Sequence, residues 1–168
     1  MKKMDKYYYI VSQLPMLFFD KETFMTIEYF LQESAKWLSS KDYEVLSQVN
    51  INDISLKKMG PKVWLQYSEV EYEFRNDLAL WRKSLRVGQE YKPNSFPPSL
   101  VKEGNPLEVE RRLLKRRWDF IEALEQDHHF DLEFIILYYL KLQILQRLFQ
   151  FNKEKGMITF QDISRVTV

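Results

Sequence analysis

The sequence predicts an all-α protein, a helical bundle of about six helices, on three observations. Apolar residues recur at steps of three and four through several long windows, which is the period of a helix. Most of these windows open on a capping residue or a proline, or end at a glycine. Glycine and proline are scarce, four and six in 168 residues, so little chain is left for long loops. A hydrophobic fraction of 45% and an aromatic fraction of 15% exclude disorder. The length suits one domain, taken as 1–168.

In chain order, residues 7–19 come first. They carry three consecutive tyrosines, Tyr7, Tyr8 and Tyr9, before Leu14-Pro15-Met16-Leu17-Phe18-Phe19. Pro15 pushes Leu14 out of helical geometry, so a short helix or extended piece should end there. Ser12, Gln13 and Pro15 interrupt the apolar run and no small-residue cleavage site follows. The stretch therefore reads as mature protein rather than signal peptide. Its aromatics are expected to lie over the domain's own core, with an exposed partner-binding arm as the alternative.

Thr26 is the expected N-cap of a helix over 27–38, with Ile27, Phe30, Leu31 and Trp37 at helical spacing. Ser39 or Ser40 caps a shorter helix bearing Tyr43, Val45, Leu46 and Val49, and Ser39 with Asp42 three residues on is a near capping box. Gly60-Pro61 marks the next boundary, with Pro61 suited to the first helical position. From there Val63, Trp64, Tyr67, Val70, Phe74, Leu78, Trp81 and Leu85 form one stripe, ended by Gly88. Lys62, Glu69, Glu73, Asn76, Lys83 and Arg86 make the opposite, wet face. Residues 88–104 contain Pro93, Pro97 and Pro98 and read as a loop linking the two halves, with an interaction loop as the alternative.

Asn105-Pro106-Leu107-Glu108 is a strong helix start, with N-cap, proline at N1 and glutamate at N3. The helix from 106 to 126 carries two apolar ridges, Leu107, Leu114, Trp118 and Ile121, and Val109, Leu113, Phe120 and Leu124. After Asp127-His128-His129 comes 131–152, with Asp131 able to act as its N-cap, apolar around nearly its whole circumference apart from a strip of Gln143, Gln146, Arg147 and Gln150. The two helices form a predicted antiparallel hairpin, 105–152, as the core. The longest unbroken apolar run there, 134–140, is far short of the ~20 residues a membrane span needs. A soluble, cytoplasmic protein is expected. One more short apolar element is expected within 157–168.

Site chemistry is sparse. Without cysteine there is no thiolate ligand, Cys nucleophile or disulfide. Each glycine sits at a predicted helix boundary, and neither a phosphate-cradling glycine motif nor a G-x-S-x-G elbow is present. His128 and His129 diverge by ~100° on a helix and lack an i, i+4 ligand partner, so a solvated loop is expected, a loop metal site with Asp127 and Asp131 being the alternative. Glu69, Glu71 and Glu73 read as helix-stabilising, Glu71 facing Arg75, with nothing to suggest burial. No catalytic, cofactor or metal residues are assigned, and no enzyme is expected.

Lys+Arg 25 against Asp+Glu 24 gives net charge +1, so there is no global pull toward nucleic acid. The one basic run, Arg111, Arg112, Lys115, Arg116 and Arg117, is interleaved with Glu108, Asp119 and Glu122. A solvated face is the expectation, and a helical module binding protein or nucleic acid through 106–126 the alternative. Two cations are out of place. Arg117 points between the ridges near Glu110, and Lys141 lies between Phe134, Leu137, Leu145 and Leu148. An unpaired buried ammonium is costly, so Lys141 must pair or snorkel. A Glu110–Arg117 contact, or a Glu110–Lys141 pair across the hairpin, would supply a partner.

The run Asn105-Pro-Leu-Glu-Val-Glu-Arg-Arg-Leu-Leu is followed by Tyr139-Leu-Lys-Leu-Gln-Ile-Leu-Gln-Arg-Leu. Together they resemble the C-terminal lobe of the all-helical socket protein of V/A-type rotary ATPases, the C-type subunit, whose eukaryotic counterpart is the d-type. The chain departs from that family's pattern at Leu142 and Gln146, where glutamate and asparagine are usual. The N-terminal Tyr7-Tyr8-Tyr9-Ile10-Val11-Ser12-Gln13-Leu14-Pro15, with Phe151-Asn-Lys-Glu-Lys-Gly, resembles a small bacterial family of no assigned activity encoded in V/A-type ATPase operons. The socket protein has three helical lobes and about twice this length, so the resemblance implies one to two lobes here. It implies a non-catalytic accessory or socket-like component near the rotor ring or central shaft, aiding coupling of ATP turnover to ion transport. ATPase subunits are then the expected partners, with no small-molecule substrate and contact with the membrane only through the complex. Tyr7, Tyr8, Tyr9, Glu110, Arg117, Trp118, Lys141 and Arg147 are the candidate structural or interaction residues.

Overall fold

The computed structural model describes residues 5–150 except 54 and 57, leaving aside the side chains of residues 5 and 6. Among the described residues there are seven helices and no strand: α1 (Asp5–Gln13), α2 (Ile27–Trp37), α3 (Ser40–Ser47), α4 (Lys62–Val87), α5 (Ser99–Lys102), α6 (Pro106–Glu125) and α7 (Leu132–Gln150). The all-α expectation holds, and the helix beyond the expected six is α5, a single turn inside the 88–104 loop. The short element expected in 157–168 lies outside the described residues.

The caps set the boundaries. The Thr26 side chain accepts the Tyr29 N–H, and that of Ser39 accepts the Asp42 N–H. Pro61 serves as the N-cap rather than the first helical residue, and Gly88 closes α4 in the left-handed region at φ 66°. Asn105 and Glu108 complete a reciprocal capping box at α6. Gly104 is part of that device: at φ +87°, a Cβ would collide with the Glu108 carboxylate that closes the box. Asp131 caps α7, its Oδ1 accepting the Phe134 N–H at 2.8 Å.

α7 lies at the centre. Every residue from Ile135 to Leu142 is buried, because α6, α4, α2 and α3 all pack against it. The segment after α1 also reaches it, where the Tyr138 hydroxyl donates to the Pro15 carbonyl at 2.9 Å. The apolar circumference of α7 is thus covered along this stretch by the chain's own elements. Gln143 does more than line a polar strip: its Oε1 accepts the Ile51 N–H and its Nε2 donates to the Val49 carbonyl, both at 3.0 Å. One amide thereby pins the loop between α3 and α4 to the central helix.

α4 spans 26 residues, about 39 Å at 1.5 Å per residue. Val63, Trp64 and Tyr67 join the main core around α7. Further along, Phe74, Leu78 and Trp81 build a second cluster with Phe96, which comes from the loop. The loop is therefore anchored rather than a bare linker. Leu85 continues the same stripe but is 58% exposed, because the cover ends before it. Leu107, expected in a core ridge of α6, is also exposed, since it sits in the first turn ahead of the packed part of the helix.

Candidate functional site: charged seams around the central hairpin

α1 divides its tyrosines between two faces. Tyr7 turns inward and donates to Asp42 Oδ2 at 3.0 Å, while Ile10 is buried in the core. Tyr8 and Tyr9 face outward, Tyr8 against Phe130 at 5.1 Å between centroids and Tyr9 stacked on Trp37 at 5.3 Å. The expected cover of the domain's own core is present in Tyr7 and Ile10, while Tyr8 and Tyr9 form a half-exposed aromatic edge.

The pairing expected of Glu110 is not the one found. Glu110 binds neither Arg117 nor Lys141; its Oε1 accepts from Arg147 Nε at 2.6 Å. In an antiparallel hairpin, residues early in α6 face residues late in α7, which brings Glu110 to Arg147. By the same register Lys141, nearer the turn, meets Glu125 closely and Glu122 at 3.7 Å. Its ammonium also lies 5.1 Å from the centre of the buried Trp118 ring. Lys141 is thus buried and paired, at the edge of a recess of about 390 Å³ lined also by His128, His129 and Phe134.

Arg117 turns away from α7 toward α4. Its guanidinium donates to Glu71 through Nη2 at 2.6 Å and Nε at 3.2 Å. Arg75 Nε adds a third bond to Glu71 at 2.7 Å, so the i, i+4 pair read from the sequence is present. The expectation that no carboxylate here is buried fails, since Glu71 is only 2% exposed. The missed signal was directional: Glu71 is four residues from Tyr67 and seven from Leu78, so it falls on the packed side. Tyr67 beside this cluster has its phenol pKa pushed well up by burial. Arg116 is lowered, first by burial, and lies over the Phe74 ring at 4.2 Å.

Asp77 is a second buried anion that the sequence did not single out. It accepts from the Tyr91 hydroxyl, from the backbone N–H groups of Asn94 and Ser95, and from the Ser95 hydroxyl. Burial alone would raise this carboxyl, but the hydrogen bonds from Tyr91, Ser95 and Asn94 outweigh it and hold the pKa below its usual value. The same contact raises the Tyr91 phenol.

The basic run of α6 is largely spent within the chain. Arg111 pairs with Asp20, Arg112 donates to the Glu103 carbonyl and Lys115 pairs with Asp119. With Arg116 on Phe74 and Arg117 on Glu71, every cation of the run has an intramolecular contact. Among the described residues no three metal-ligating side chains converge, and His128 Nδ1 lies 2.8 Å from Asp131 Oδ2. No helix there is long and apolar enough to cross a membrane.

Residues 100–166 match a family described as a protein of unknown function (DUF2764). That match begins within α5 and takes in all of α6 and α7. No curated protein and no solved structure matches the chain.

Proposed function

We propose that this chain is a non-catalytic, socket-like accessory component of a bacterial V/A-type ATPase, cytoplasmic and held at the membrane only through that complex. The observation that supports it most is spatial. The two stretches that resemble the ATPase socket protein fall on α6 and α7, and Glu110 of the first pairs with Arg147 of the second. Lys141, within the second stretch, pairs with Glu125 near the turn. The hairpin is thus tied by ion pairs toward both ends and packed along its length, the stiffness a part that transmits torque requires. It would serve between the central shaft and the rotor ring, with no chemistry of its own.

The alternative is a module binding nucleic acid through the basic helix. It is weakened because the cations of that helix are already engaged within the chain. Phosphate contact would have to compete with those pairs.

Deleting the gene in the producing bacterium tests the proposal. ATP-driven ion uptake into inside-out membrane vesicles should fall severalfold, with ATP hydrolysis by the detached catalytic head unchanged. Unaltered uptake would contradict the assignment.

A further inference from the structure

The solvent face of α4 carries a pattern that the core does not explain. Leu65, Glu69, Tyr72, Asn76, Leu80, Lys83 and Val87 follow one another at steps of three and four, so they share one stripe. Tyr72, Leu80 and Val87 are 40%, 46% and 58% exposed, while Glu69, Asn76 and Lys83 are exposed as well. Single exposed apolar residues are ordinary. Their order is not. Outward from Asn76 the stripe reads apolar at four residues either way (Tyr72, Leu80) and charged at seven (Glu69, Lys83). At eleven it is apolar again (Leu65, Val87). The two charges have opposite sign.

We propose that two copies of this chain associate through α4, antiparallel, about a two-fold axis passing beside Asn76. Such an axis sets Glu69 of each copy against the partner copy's cation at position 83, Tyr72 against the aliphatic chain at 80, and Leu65 against that at 87. An interface built on a two-fold axis must be self-complementary, which this stripe is and a general polar surface is not. Asn76 meets its own equivalent on the axis, where one amide in a helical seam fixes register. Within one chain, Glu69 has no cation three or four residues away and instead faces Glu73 at i+4, an unfavourable pair. Among the described residues neither Glu69 nor Lys83 has an ion-pair partner. A second copy supplies both. This inference does not depend on the ATPase assignment.

The full chain is the test object. Sedimentation velocity up to about 100 μM should show a concentration-dependent dimer. Glu69→Lys or Lys83→Glu alone should weaken it at least about tenfold. The double variant Glu69→Lys/Lys83→Glu, which restores complementarity, should recover most of that loss. Circular dichroism of each variant checks that the helices remain. The absence of cysteine allows a second readout. Asn76→Cys should form a disulfide-linked dimer under oxidation. Val87→Cys should not, because the two positions lie about 33 Å apart in the antiparallel arrangement. A monomer throughout, a double variant no better than the singles, or cross-linking at 87 rather than 76 would each overturn the proposal.

Discussion

At the scale of single residues, the buried ions are the costliest groups to place, and Glu71 is the most enclosed of them. It is held by Arg117 and Arg75, with Arg117 itself buried. Replacing Glu71 with alanine leaves a buried guanidinium without its anion, and urea titration should show a loss of about 3–5 kcal/mol. Replacing both partners, Glu71→Leu with Arg117→Met, should cost far less, because two apolar chains need no partner. Asp77 behaves differently because its partners are hydrogen-bond donors from the loop. Its pKa is lowered, so its contribution is fully present above the ordinary aspartate value of about 3.9. It fades as pH falls through the lower native value. Fluorescence of Trp81, which packs on Phe96 of the same loop, should report loosening below about pH 4 in the wild type. Asp77→Asn should show the loosening already at neutral pH, with the acid dependence flattened.

At the scale of elements, helix ends and most core positions were legible, while the burial of Glu71 and the partners across helices were not. Thr26, Ser39, Asn105 and Asp131 act through bonds to residues three positions ahead, so sequence spacing alone locates them. Glu110, Arg117 and Lys141 act across helices, where the partner depends on the register of the hairpin and on where α4 crosses it. Spacing along one helix cannot supply that. Gln143 shows the same limit. Its place in an apolar helix marked it as unusual, but the loop backbone it pins is remote in sequence. Gln143→Ala strands the Ile51 N–H and the Val49 carbonyl, and should cost about 2–4 kcal/mol in thermal or urea unfolding. Gln146→Ala, on the exposed side of the same helix, should stay within about 0.5 kcal/mol.

At the scale of the whole molecule, α4 links two cores of unequal size. The larger surrounds α7, and the smaller consists of Phe74, Leu78 and Trp81 under Phe96. Local opening follows the amount of apolar burial. Hydrogen exchange should therefore release amides of 89–104 and the last turns of α4 well before those of α7, and uniform protection across both would contradict the division. The enclosure of α7 from Ile135 to Leu142 moves any docking away from that stretch. The apolar side chains left exposed include Tyr8 and Tyr9 on α1, Phe18 and Phe24 after it, and Tyr72, Leu80 and Val87 on α4. The sequence resemblance of α6 and α7 to the rotary ATPase socket protein is the basis for the proposed ATPase role. Affinity purification of the tagged full chain from the native organism, washed first at low and then at high salt, tests it most directly. The account predicts retention of identified V/A-type ATPase subunits in constant proportion to the chain. Recovery of nucleic acid lost on raising salt, with no ATPase subunits retained, would contradict it.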